Sequence, residues 1–164
     1  MAKTQRTPTA LAAAGRSLLI TPEAVKDGRD FAAARLTRYA AVHDLAGVDQ
    51  VHIDDVKVCV SELVTNAIKY GSGPDRTNIN LEISIWPRWT RVTVDDRDPE
   101  VPNAVPVAEE MAESGRGLMI VSLYAARFWW GKGLISKTAN AAILHTGVTL
   151  TDEDEIALDL EMVR

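Results

Sequence analysis

The stretch DDVKVCVSELVTNAIKYG, residues 54–71, decides how the rest of the chain is read, because its apolar residues recur at helical spacing. At about 100° per residue, Val56, Cys59, Val60, Leu63, Val64 and Ala67 fall on one continuous arc. Glu62 and Asn66 lie beside that arc, one turn apart and about 40° from each other around the axis. The pattern predicts an amphipathic helix from about Asp49 to Tyr70, closed by Gly71 in a left-handed conformation. A carboxylate and an amide oxygen side by side at the rim of a packed face can orient a nucleophile and hold a hard cation through oxygen. Glu and Asn on a helix are also ordinary solvated residues. The pair therefore needs support from the rest of the chain.

The chain has 164 residues, 46% hydrophobic and 25% charged, which implies one domain large enough to bury a core without staples. A net charge of −5 and a pI near 5.2 offer no general basic surface for a phosphate backbone, so direct nucleic-acid binding is not expected. Cys59 is the single cysteine. It allows no intrachain disulfide, fits a reducing cytoplasm, and belongs by position to the core. No window approaches 18 consecutive apolar residues, so no membrane span is expected. Residues 1–15 read as a disordered leader, because the alanine-rich run at 10–14 is too short for a signal peptide and Gly15-Arg16 interrupt it.

A short strand is expected at 17–20. Thr21 would then cap, and Pro22 begin, a long helix running to about Ala46, with Gly47 stopping it. Residues 80–86 and 90–95 alternate polar and apolar, a hairpin whose Trp86 and Trp89 close its tip as a cross-strand pair. Residues 96–114 carry three prolines and no clear period, a long loop of the functional or mobile kind. Gly115-Arg116-Gly117 opens an apolar helix over 118–126 that reads as buried, and glycines there would let phosphate reach free backbone N–H groups. Residues 127–130 and 139–145 read as strands, so Trp129 and Trp130 should face opposite sides. His43, His52 and His145 show no metal-ligand spacing. The alternation of Ile156, Leu158, Leu160 and Met162 favours a strand, and a helix capped by Thr151 fits nearly as well.

Taken together, SELVTNAIKYG, VTVDDRDPEVP and ESGRGLMIV resemble, in order and spacing, the N, G1 and G2 boxes of the GHKL (histidine kinase-like) ATPase family. The likeness is strongest to its anti-sigma factor serine kinase branch, the RsbW/SpoIIAB-like and actinobacterial ATP-binding regulatory proteins. It covers about residues 17–144. The fold it implies is an α/β (α+β) two-layer sandwich of the Bergerat type, a mixed sheet with helices packed on one face. The ATP-binding domain would span 16–146, and an acidic extension, 147–164, would pack on it. By the same likeness Asn66 would ligate Mg²⁺ on the ATP phosphates, and Glu62 would act as general base or orienter for the attacking hydroxyl. Asp96 would accept from the adenine amino group, Gly115, Arg116 and Gly117 would meet the phosphates, and Thr138 would help bind adenine. Residues 103–114 would form the ATP lid. The implied activity is Mg·ATP-dependent phosphorylation of serine or threonine on an anti-anti-sigma partner. A sigma factor would be the second partner, the location cytoplasmic, and a homodimer compatible with the branch. Asp98 and Glu100 stand where the first glycine box usually has glycines, which keeps open a non-catalytic ATP module. A detached histidine kinase domain is the other alternative.

Overall fold

The computed structural model describes residues 9–71, 76–96, 116–132 and 136–163. In chain order these form β1 (Ala12–Leu19), α1 (Ala24–His43), α2 (Gln50–Tyr70), β2 (Asn78–Ile85) and β3 (Trp89–Asp95). Then come α3 (Arg116–Tyr124), β4 (Arg127–Lys132), β5 (Lys137–Leu144) and α4 (Asp152–Met162). The strands make one sheet in the order β1-β2-β3-β5-β4. All four pairings are antiparallel, where a mixed sheet was expected. A two-layer α/β sandwich is the result, with α1, α2 and α3 on one face.

Strand alternation builds the core. Ile79, Leu81, Ile83 and Ile85 of β2, Val92 and Val94 of β3, and Ala139, Ala141 and Ile143 of β5 point to the helical layer. There they meet Val56, Cys59, Val60, Leu63, Val64 and Ala67, the arc read from the sequence, and all six are buried. Full burial of each such aliphatic side chain stabilises by about 1.5–3 kcal/mol, so this seam fixes the orientation of α2 and of the polar residues beside it. Cys59 is fully buried, and burial pushes its thiol up to about 12. It is a small core residue and not a nucleophile.

The opposite face of the sheet carries a second cluster, Trp86, Trp89, Trp129, Ala142 and Leu158. Trp86 and Trp89 stack with ring centroids 3.8 Å apart and planes 8° from parallel, the hairpin pair the sequence suggested. Trp129 joins this cluster while Trp130 packs on the helical side. Leu158 comes from α4, so one helix lies on the back of the sheet, contrary to the expectation of helices on one face only. The strand favoured for the tail is also overturned. Thr151 accepts from the Asp154 backbone N–H while the Asp154 side chain accepts from the Thr151 N–H, and Asp152 to Glu155 place four acids at the positive end of the helix. That reciprocal cap and the dipole outweigh an alternation that was only partly apolar. Three arginines on the sheet and its turn dock the acidic helix: Arg88 to Asp154 at 3.6 Å, Arg91 to Glu161 at 2.5 Å, and Arg127 to Glu155.

Other boundaries moved for local reasons. β1 starts at Ala12 and so takes in part of the expected leader, because small side chains at 12–15 allow it to pair with β2 along its whole length. Residues 1–8 lie outside the described residues. Thr21-Pro22 form a turn, and Glu23 is the N-cap of α1 with no side-chain cap. Asp44, at φ 53°, ends that helix in the left-handed region three residues before Gly47, a conformation that Asp tolerates better than most residues. Gly71 is extended, not left-handed. A Cβ there would overlap the Arg76 guanidinium, which itself terminates α2.

Behind the start of α2, His52 and His145 pack edge to face with centroids 4.8 Å apart. His52 Nδ1 lies 2.9 Å from the Leu144 carbonyl, which can only accept, so that nitrogen carries the proton. Nε2 then accepts from the Thr90 hydroxyl at 2.9 Å. Burial lowers the pKa of His52, and burial with the neighbouring His52 lowers His145 to about 4. Both rings fold neutral. The unfolded chain takes up protons as pH falls through about 6.5 while the native one does not, so stability present above that pH is lost between about 6.5 and 4. For His145 the loss reaches on the order of 3 kcal/mol. Urea midpoints measured from pH 7 to pH 5, above the carboxylate range, should fall steadily, and a flat profile would contradict the neutral pair.

Candidate functional site

The polar edge of α2 meets the N-terminus of α3. A Cβ built on Gly117 would come 2.6 Å from Glu62 Oε2, 3.5 Å from Asn66 Oδ1 and 3.6 Å from Asn66 Nδ2. A glycine here leaves the first turn of α3 free to lie against these two side chains, and a larger residue would push the Glu62 carboxylate aside. The site therefore combines a carboxylate, an amide oxygen and the first backbone N–H groups of a nine-residue helix that begins at Arg116. Those N–H groups and the helix dipole favour an anion. Glu62 and Asn66 are both partly exposed at the rim, as the helical spacing required.

Asp96 belongs to the same end of the molecule. It continues the alternation of β3 past Asp95 and lies on the helix side, 5% exposed. Arg76 ties it to α2. The guanidinium donates to the carbonyls of Ala67 and of Ile68, the latter at 2.9 Å, and reaches the Asp96 carbonyl at 3.4 Å. One side chain thereby satisfies the last carbonyls of the helix and holds the end of β3 beside them. Sequence reasoning passed over Arg76 as part of a loop. A basic residue shortly after a helix end was the available signal.

Lys137 was also passed over. Its Nζ lies 3.4 Å from Asp96 Oδ2, and both side chains are almost fully buried. β5 alternates so that Lys137, Ala139 and Ala141 face the helices, while Thr138 pairs across the sheet with Asp95 and Gly131 on the other face. Thr138 accepts there from the Asn140 amide at 3.0 Å. Thr138 thus lies on the face of the sheet away from Asp96, and its neighbour Lys137 is the residue that meets Asp96. Strand period alone forces this placement.

The site brings together Glu62, Asn66 and Gly117, with Arg116 adjacent in sequence and Asp96 joined through Arg76. Gly115, Asp98, Glu100 and the lid expected at 103–114 lie outside the described residues. α3 runs from Arg116 to Tyr124 and differs from the buried helix expected over 118–126. Val121 is its one buried residue, while Met119, Leu123 and Tyr124 are exposed.

The donors fit magnesium, which prefers few protein oxygens and keeps the rest of its shell for water and phosphate. Among the described residues no three His, Cys, Asp or Glu side chains gather as a metal site. An ion here would be held by the Asn66 amide oxygen together with substrate phosphates. No helix among those residues is long and apolar enough to cross a membrane.

The sequence profile described as a histidine kinase-like ATPase domain matches residues 21–132. Among solved structures, the RsbU and RsbW domains of Rv1364c from Mycobacterium tuberculosis are similar at a TM-score of 0.52 and 19% identity. That likeness covers 86% of this chain, which spans only 34% of the other. The histidine kinase domain of the blue-light activated histidine kinase EL346 from Erythrobacter litoralis aligns at a TM-score of 0.45 and 18% identity, over 73% of each chain. Among curated proteins none matches.

Proposed function

Because this chain belongs to the histidine kinase-like ATPase domain family, we propose that it binds Mg·ATP between α2 and the N-terminus of α3 and transfers the γ-phosphoryl group to a serine or threonine hydroxyl of a partner protein. The observation that carries this reading is the approach of Gly117 to Glu62 and Asn66, which brings a carboxylate, an amide oxygen and the first N–H groups of α3 around one point, the groups such chemistry needs. Asn66 would hold Mg²⁺ through its amide oxygen, and the ion would neutralise charge on the phosphates. Arg116 and the backbone at the start of α3 bind phosphate oxygens. Glu62 orients the attacking hydroxyl and takes its proton as the oxygen bonds to phosphorus, while the bond to the bridging oxygen breaks and ADP leaves. Positioning and charge neutralisation supply the acceleration. Asp96 accepts from the adenine amino group.

The partner scheme follows the anti-sigma branch. An anti-anti-sigma protein is the substrate and a sigma factor the competing ligand, so phosphorylation exchanges one for the other in the cytoplasm. The name of the RsbU and RsbW neighbour supports this by analogy alone. Asp98 and Glu100 favour a second reading in which ATP is bound without transfer.

Incubation of the full chain with γ-labelled ATP and co-purifying partner proteins separates the readings. Acid-stable label on a partner serine or threonine is expected. Acid-labile label on histidine would indicate a detached histidine kinase domain, and ATP binding with no label on any partner would indicate the non-catalytic module.

A further inference from the structure

Lys137 and Asp96 form a buried ion pair, each 5% exposed, with 3.4 Å between Nζ and Oδ2. The Lys137 ammonium also lies 5.8 Å from the centre of the Trp130 ring. Among the described residues, the buried indole Nε1 of Trp130 has no hydrogen-bond partner. Taking two charges out of water is offset only where the geometry is good and further hydrogen bonds satisfy both groups, and an apolar pair of similar size often holds a sheet as well. A buried donor without a partner in the same corner is likewise unusual in a finished core. A carboxylate, an ammonium and an unpartnered indole N–H therefore lie in one corner beside the end of β3.

We propose that Lys137 is a specificity-determining residue, which donates to N1 of adenine while Asp96 accepts from the 6-amino group. This rests on the reading of Asp96 as the base acceptor given above. A carboxylate and an ammonium side by side present an acceptor next to a donor, and the Watson–Crick edge of adenine presents the complementary donor next to an acceptor. Hypoxanthine or guanine in the same pose sets its O6 acceptor against the carboxylate and its N1–H against the ammonium. Both contacts are then mismatched, so the pair rejects 6-oxopurines more firmly than Asp96 alone. The Trp130 ring lies beside the ammonium and confines its position.

Calorimetric titration of the full chain with Mg·ATP, its 1-deaza analogue and ITP tests the assignment, in wild type and in Lys137→Met. Wild type should bind 1-deaza-ATP roughly 10–100-fold more weakly than ATP, the worth of one hydrogen bond to a charged group. Lys137→Met should bind ATP about as weakly as wild type binds the deaza analogue, lose little more when N1 is removed, and discriminate less against ITP. Should Lys137→Met fail to fold, the wild-type comparison still decides, because N1 is removed from the ligand and not from the protein. Equal wild-type affinity for ATP and 1-deaza-ATP, or an unchanged N1 effect in a folded Lys137→Met, would overturn the role of Lys137 while leaving the nucleotide site standing. Binding of none of the three by wild type would remove the site itself, and this inference with it.

Discussion

On the proposed mechanism, Glu62→Gln should lower phosphoryl transfer to the partner hydroxyl by about 10²–10⁴-fold, the usual worth of a general base, and leave Mg·ATP affinity within a few-fold of wild type. The side chain keeps its shape, so it still fits the space in which a Gly117 Cβ would lie 2.6 Å from Oε2. What it loses is the capacity to take a proton. In that mechanism binding and chemistry separate, because Asn66, one turn along α2, would hold the cation and Glu62 would orient the hydroxyl. An unchanged melting temperature shows that the variant folds. Single-turnover rates measured at saturating ATP isolate the chemical step, and a wild-type rate in the variant would remove Glu62 from the mechanism.

Trp89→Ala costs about 3–5 kcal/mol of stability, as expected for truncating a fully buried aromatic residue. Trp89 is 1% exposed, stacks on Trp86, and meets Leu158 of α4 on the back of the sheet. Its loss opens that cluster and frees the docked helix. The folded fraction should still bind Mg·ATP with wild-type affinity, because Glu62, Asn66 and Asp96 belong to the opposite face. Denaturant midpoints give the first quantity and titration under native conditions the second. A loss below about 1 kcal/mol would mean that the cavity collapses without strain, and weakened nucleotide binding would mean that the two faces are coupled.

The parts of this molecule that were legible in the sequence are those fixed by local period. The apolar arc of α2 alone determined where Glu62 and Asn66 would stand, and hairpin alternation placed Trp86 and Trp89 together. Period also contained the answer at β5, since Lys137 shares its phase with Ala139 and Ala141 and Thr138 does not. Motif likeness drew attention to the threonine, whereas alternation puts Lys137, not Thr138, on the face that carries Asp96.

The rest depended on partners distant in sequence. Whether the apolar residues of α3 are covered is set by what packs on its outer side, so Met119 and Leu123 gave no sign of their exposure. The bond from Arg76 to the end of α2 requires the intervening chain to return, which composition does not specify. At α4 the helix capped by Thr151 ranked just behind a strand, because alternation was weighed above a capping box whose acid, Asp154, stands three residues after Thr151. The acidic charges of that helix gain meaning only once Arg88, Arg91 and Arg127 are seen on the sheet.

The account stands or falls on nucleotide binding at the junction of α2 and α3, and thermal unfolding of the full chain with and without Mg·ATP tests it most directly. A ligand that binds only the native state stabilises it by mass action, by about 2.7 kcal/mol at a hundredfold excess over Kd. The melting temperature should therefore rise with ATP or ADP concentration in the presence of Mg²⁺, rise less with GTP, and respond weakly in Asn66→Ala. No shift in wild type at millimolar Mg·ATP would contradict the central claim.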